Sequence, residues 1–156
     1  MENRKVTDSI SEQVCIVRSP HINGFGRLFG GILMQWMDEL AGVVTRRHAG
    51  LGVTTAAVDN FQFVSGAYVN DMVVLEGKLT YVGNTSMEVR VDAYVENNEG
   101  SRNIINHAYF VMVAIDEHGH PMRVPGLEIE TEAQKAEWAG GEKRYQLRKE
   151  RRIEGY

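Results

Sequence analysis

Between Gly24 and Gly31 the chain packs four glycines into eight residues, and it then runs through Ile32-Leu33-Met34-Gln35-Trp36-Met37-Asp38 with no Gly or Pro until Gly42. A glycine-rich stretch feeding such a run is a flexible loop entering a helix. The cations Arg46, Arg47 and His48 ahead of Gly50 are the residues that helix C-termini favour. A helix from Gly31 to His48 is about 27 Å long, enough to cross a small domain. Ile32, Leu33, Met34, Trp36, Met37, Leu40, Val43 and Val44 surround nearly its whole circumference, which predicts a buried helix. Gln35, Asp38 and Glu39 interrupt it too soon for a membrane span.

One stripe departs from this pattern. Gly31, Gln35, Asp38 and Gly42 follow helical spacing and share a small or polar face. The plain reading of Asp38 is a hydrogen-bonded structural carboxylate, and of the glycines a tight turn. Two features favour chemistry instead: glycines admit close approach of another molecule, and the free N–H groups of a helix start attract negative charge. A carboxylate on such a helix suits a hydrolytic site.

After Gly50 the apolar period changes from 3.6 to 2. Val53 to Phe63, Val73 to Val82, Met87 to Glu96 and Ile104 to Ile115 read as strands, and Gln13 to Arg18 as a short one before the loop. Met87, Val89, Val91, Ala93 and Val95 alternate with Glu88, Arg90, Asp92, Tyr94 and Glu96, the signature of a half-buried strand. Ile104 to Ile115 is apolar on both faces and should be covered on both. One long helix followed by consecutive strands joined by short turns predicts an α+β fold, an antiparallel sheet of five or six strands wrapped around the helix. No helices alternate with the strands, which disfavours a parallel α/β fold.

The 156 residues are one domain's worth, 43% of them hydrophobic, and the net charge of −4 offers no basic footprint for nucleic acid. Cys15 is the only cysteine and lies in an apolar run, so it reads as a small buried hydrophobe. Met1 to Lys5 is polar, unlike a signal peptide, which points to the cytoplasm. Residues 1–10 read as a loose terminal segment, 11–127 as the domain, and 128–156 as an exposed helical tail with seven acidic and seven basic residues. Within the tail Arg144, Arg148, Arg151 and Arg152 share a helical face. A solvated face or subunit contact is the leading reading, and a phosphate contact the lesser one. His118-Gly119-His120-Pro121 has two histidines but no third ligand nearby, so no metal is expected. Gly24-Phe25-Gly26 does not continue as a dinucleotide fingerprint.

The pattern Asn23-x-x-Gly26-x-Leu28-Phe29-Gly30-Gly31 with Trp36-Met37-Asp38 resembles the acyl-CoA thioesterases of the hotdog fold. The likeness continues through Arg47-His48, Val53 to Asp59, Phe63, Gly83-Asn84-Thr85-Ser86-Met87 and Val113 to Asp116, over residues 11 to 127. It implies hydrolysis of acyl-CoA to free acid and CoA with no cofactor. Asp38 would activate water, or attack directly through an anhydride. Asn23 would orient that water or bond the carbonyl, and the amides of Gly30 and Gly31 would stabilise the oxyanion. Phe29 and Phe63 would bound the acyl group, and Gly83, Asn84, Thr85 and Ser86 would line the CoA channel. Some relatives carry His where this chain has Phe29. The resemblance also implies a homodimer, further assembled as a trimer of dimers, in which Asn23 and Asp38 of one site come from different chains. Two other readings are a non-catalytic acyl-CoA-binding regulator, for which no DNA-binding segment is evident, and a hotdog dehydratase, which would need a His paired with the carboxylate.

Overall fold

The computed structural model describes residues 1–156. The helix α1 spans Gly30–Ala49 and stops at Gly50, whose left-handed backbone (φ 68°) returns its N–H to the Arg46 carbonyl. Leu33, Met37, Leu40, Ala41 and Val44 are buried along one side of it. The opposite side is open: Gly31, Met34, Gln35, Glu39, Val43 and Arg46 are exposed and Asp38 is half-buried. The helix is therefore not enclosed all round, as its composition predicts. The polar stripe read from the sequence lies on this open side, together with apolar Met34 and Val43.

Strands β2 (Ser11–Ile16), β3 (Gly52–Phe63), β4 (Met72–Val82), β5 (Ser86–Glu96) and β6 (Arg102–Ile115) form one antiparallel sheet in the order β2-β4-β5-β6-β3. All five match strands expected from the sequence, β2 beginning and ending two residues earlier than the expected Gln13 to Arg18, and β6 is interior, between β5 and β3. Met87, Val89, Val91 and Ala93 of β5 join Leu75, Leu79, Phe110 and the buried side of α1 in one core. β3 is a largely exposed edge strand. This is the hotdog arrangement, a long helix held in the concave face of an antiparallel sheet.

The outer face of the sheet carries a second layer. Helix α2, Glu132–Glu154, begins at Thr131, whose hydroxyl accepts from the Gln134 N–H. The tail is helical as expected, but half of its arginine face is docked on the sheet: Arg144 and Arg148 are partly buried there, while Arg151 and Arg152 stay exposed. Arg144 chelates Glu88 (2.8 to 3.2 Å) with its guanidinium 3.6 Å from the Tyr109 ring centre. One Arg148 nitrogen donates both to Asp59 (2.8 Å) and to Glu88 (3.0 Å), and the Thr80 hydroxyl donates to Glu88 at 2.7 Å. Glu88 is only 1% exposed. The polar half of β5 is thus buried beneath ion pairs, and the strand is covered on both faces.

Residues 1–10 are also ordered. Strand β1 (Arg4–Lys5) pairs in parallel with β7 (Leu127–Glu128), and Val6 is buried in the core. The Arg4 guanidinium donates to the carbonyls of Arg47 (3.0 Å) and His48 (2.7 Å), satisfying the C-terminal end of α1.

A Cβ at Gly141 would lie 2.5 Å from the Tyr81 Cβ and 3.1 Å from Glu88 Oε1, so the close approach of α2 to β4 requires glycine there. Gly141→Val is expected to cost about 1–3 kcal/mol by overpacking and to make α2 sensitive to trypsin; unchanged denaturation and proteolysis would exclude tight docking. His48 is buried, its Nε2 donating to the Pro125 carbonyl at 2.7 Å and its Nδ1 unpartnered. Burial pushes its pKa below the usual value, outweighing the pull of Pro125. The unfolded chain then takes up the proton first as pH falls. Stability is full above about pH 6.5 and is lost as pH drops toward the depressed folded pKa. His48→Gln, which can still donate to Pro125, should lose less melting temperature than the native chain between about pH 7.5 and 5.5; equal losses would contradict the assignment.

Candidate active site

The loop before α1 is organised by Asn23. Its Oδ1 accepts from the backbone N–H of Phe25 (2.9 Å) and Arg27 (3.2 Å), and the Asn23 N–H donates to the Arg27 carbonyl. Because both partners of the side-chain oxygen are N–H donors, the amide orientation is fixed, and its NH₂ group is left without an intrachain partner. At the N-cap, Phe29 has no side-chain acceptor to offer. The first helix amides with intrachain partners are those of Ile32 and Leu33, both on the Phe29 carbonyl. The N–H groups of Gly30 and Gly31 are therefore free at the positive end of a 20-residue helix.

Two aromatic rings flank this end. A Cβ at Gly31 would meet the Phe29 ring at 2.8 Å and one at Gly30 the Phe63 ring at 3.2 Å. Phe29 is 53% exposed and Phe63 49%. Asn23, Gly30 and Phe63 line one cleft of about 280 Å³. The sequence-predicted Asn23, Phe29, Gly30, Gly31 and Phe63 are thus brought together.

Asp38 is elsewhere. It lines a cleft of about 420 Å³ with Gly42, Arg46, Thr54, Thr55 and Met112, open to solvent on the unburied side of α1. Its position two turns into the helix puts it about 12 Å from Gly30 along the axis. Within one chain the carboxylate and the free amides cannot reach the same carbonyl group.

Thr55 is the functional candidate that sequence reasoning passed over. Its hydroxyl donates to Asp38 Oδ1 at 2.5 Å, leaving Oδ2 free. A signal for it exists: from the turn at Gly50, the helix back to Asp38 covers about 18 Å, and the strand forward to Thr55 covers about 17 Å. A hydroxyl and a carboxylate at matched distances from a helix–strand turn face each other.

The segment Gly83-Asn84-Thr85-Ser86 divides. Gly83 and Ser86 close the turn (N–H to carbonyl, 2.8 Å), and the Asn84 carbonyl accepts from the Val124 N–H. Only Thr85 and Ser86 face a cleft, of about 450 Å³, on the outer face of the sheet beside Arg148, Arg151 and Arg152. His118 and His120 sit in an exposed turn, where their backbone N–H groups donate to Asp116 and hold its pKa low. Burial pushes the Cys15 thiol up, away from nucleophilic use.

Residues 25–101 match the family model described as thioesterase superfamily. A crystal structure of an apo-hexameric acyl-CoA thioesterase superimposes with a TM-score of 0.91 at 36% identity, covering 97% of each chain. The chain belongs to this thioesterase family. It is also similar to the acyl-CoA hydrolase of Staphylococcus aureus, solved with butyryl coenzyme A, coenzyme A and coenzyme A disulfide (TM-score 0.91, 29% identity, 97% of this chain and 93% of that one). Variants of that family member are known with an asparagine, an aspartate and a threonine each replaced by alanine. The three follow one another along that chain at the same separations as Asn23, Asp38 and Thr55 along this one. The mouse cytosolic acyl coenzyme A thioester hydrolase is 33% identical over 155 residues, 97% of this chain. The present chain spans 40% of that protein's length.

Proposed function

We propose that this chain hydrolyses the thioester of acyl-CoA, with Asp38 as the base that activates water. The observation that carries this reading is a half-buried carboxylate on the open side of α1, held by Thr55 and facing an open cleft. Asn23, Asp38 and Thr55 share residue types and spacing with the three residues substituted in the Staphylococcus aureus hydrolase, which supports their acting together. Relatives named as acyl-CoA thioester hydrolases support the substrate class.

In this mechanism the free Oδ2 of Asp38 takes a proton as water attacks the carbonyl carbon. The negative charge that grows on the carbonyl oxygen is met by the N–H groups of Gly30 and Gly31 and by the Asn23 amide, which can only donate. Collapse breaks the C–S bond, and Asp38 returns its proton to the departing thiolate. Phe29 and Phe63 bound the acyl group. Thr55 positions the carboxylate. These residues need no metal or cofactor beyond the CoA carried by the substrate.

The helical rise separates Asp38 from Gly30 by about 12 Å, so a complete site requires a second copy of the chain. It forms where the glycine loop of one protomer meets Asp38 of its partner, and the exposed apolar Phe29, Met34, Val43, Phe63 and Val64 supply surface for that contact. Hexameric relatives favour further assembly as a trimer of dimers. The cytosolic relative favours a cytoplasmic location, and no helix is long and apolar enough to cross a membrane.

Asp38→Asn should lower turnover of acyl-CoA, read as thiol release, by at least about 100-fold with the protein still folded; near-native turnover would remove the mechanism. Asn23→Ala and Asp38→Asn are each expected to be nearly inactive alone. Co-expressed, they form mixed dimers in which one of the two sites carries both native residues, so activity should return to a substantial fraction of native. No recovery from verified mixed dimers would show that each site is built within one chain.

A further inference from the structure

Asn106 is a buried polar side chain that the chemistry above does not use. It is 0% exposed, and neither its Oδ1 nor its Nδ2 has a partner within the chain. Burying an amide with both ends idle is costly, so such a group calls for a ligand or a bound solvent molecule. Its place in the fold favours a ligand. On β6 it continues the alternation of Met112, Phe110 and Ala108, all core residues, so it points to the concave face that holds α1. Its cross-strand partners are Ala93 of β5 and Phe63 of β3. Phe63 lines the 280 Å³ cleft together with Gly30 and Asn23. Two strand irregularities create this arrangement. The register of β3 with β6 shifts between Asp59 and Gln62, around Asn60 with its φ of 57°, and the extra residue turns Phe63 to the same face as Val58. The register of β5 with β6 shifts between Ala93 and Tyr94, next to Asn106 itself.

We infer that Asn106 is the polar end of the acyl pocket and selects acyl groups that carry a hydroxyl or oxo oxygen along the chain. The assignment rests on acyl-CoA being hydrolysed at the Gly30 and Gly31 amides. An amide donates through Nδ2 to an oxo group and accepts through Oδ1 from a hydroxyl, whereas a plain alkyl chain leaves both ends idle. Directly opposed side chains of an antiparallel pair lie about 5 Å apart. A Cβ on Gly30 would meet the Phe63 ring at 3.2 Å. The helix amides, the Phe63 ring and Asn106 therefore follow one another in a single row. An acyl chain whose carbonyl is held by the amides, and which passes Phe63, arrives at Asn106 a few carbons on. Phe63 separates the cleft from the amide. Its ring is half-exposed and meets Phe61 edge-on at 5.5 Å, and exposed side chains change rotamer readily. Turned aside by an entering chain, the ring uncovers Asn106.

The test compares kcat/KM for butyryl-CoA against 3-hydroxybutyryl-CoA, and for hexanoyl-CoA against 6-hydroxyhexanoyl-CoA, in the native protein and in Asn106→Leu. In the native protein the hydroxylated member of at least one pair should be favoured by at least about 10-fold. Asn106→Leu should erase or reverse that preference with the melting temperature unchanged or raised, because an apolar side chain of similar size removes two idle polar atoms. Asn106→Ala, which cannot overpack the core, should erase it too and covers the case in which leucine does not fit. No preference in the native protein, or one that survives the substitutions, overturns the inference and leaves the amide to an internal water. If acyl-CoA is not hydrolysed at all, calorimetry with the same esters separates the two failures. Tighter binding of a hydroxylated ester that Asn106→Leu abolishes upholds the pocket while the reaction falls, and equal binding overturns both.

Discussion

The rigidity of α1 is the constraint on which the rest depends. A helix fixes the distance between any two of its residues, and here it holds the free amides of Gly30 and Gly31 about 12 Å from Asp38. Loops can fold back, but the helix cannot bend enough to close that gap. The same rod that buries Leu33, Met37, Leu40 and Val44 in the core thereby leaves two half-sites on its open side, one electrophilic and one basic. Met34 and Val43 are exposed between and beyond them, a poor arrangement for an isolated surface and a good one for a face that another protomer covers.

Much of this is legible in the chain. Gly50 and the cations before it mark the end of α1 closely, alternation locates β4 and β5, and runs of β-branched, aromatic and apolar residues locate β3 and β6, because these signals are local. The polar stripe through Gly31, Gln35, Asp38 and Gly42 is visible for the same reason. What escapes is set by tertiary contact. The helix looks buried all round because Met34 and Val43 are apolar, and composition does not distinguish burial in the core from surface left open. Val6 and Arg4 sit in a polar segment whose order comes from β7 and from the end of α1, both remote in sequence. Thr55 requires combining two rises per residue across a turn, which no single-element pattern supplies.

The reading of β5 shows a general ambiguity of alternating patterns. Polar residues at every second position indicate a solvated face only if nothing covers them. Here Glu88 lies beneath α2 and Asp92 is paired with Arg90, both of them buried, and the clue to Glu88 lies far downstream in arginines at i, i+4, i+7 spacing. A buried carboxylate without partners would cost several kcal/mol, of the order of 3–5 when one member of a pair is removed. With Arg144 chelating it and Arg148 and Thr80 donating to it, Glu88 is tolerated. Such pairs add modest net stability against apolar packing of the same volume, but they dictate geometry. An apolar face would let α2 slide over the sheet, whereas the Glu88 and Asp59 carboxylates admit one register.

That register has a chemical consequence. Once Arg144 and Arg148 are committed to the sheet, the next helical turn must project Arg151 and Arg152 over Thr85, because residues three and four apart share a face. The sheet then works on both sides. Its concave face fixes α1, and through Thr55 fixes the orientation of the Asp38 carboxylate; its convex face fixes α2, and with it Arg151, 3.5 Å from Asp59, and the unpaired Arg152. Thr55 and Asp59 are an even number of positions apart on β3, yet they serve opposite faces because the bulge between Thr55 and Ala57 shifts the alternation by one. Without that extra residue Asp59 would point toward α1, Arg148 would lose its partner, and the arginine layer would have no anchor on the edge of the sheet.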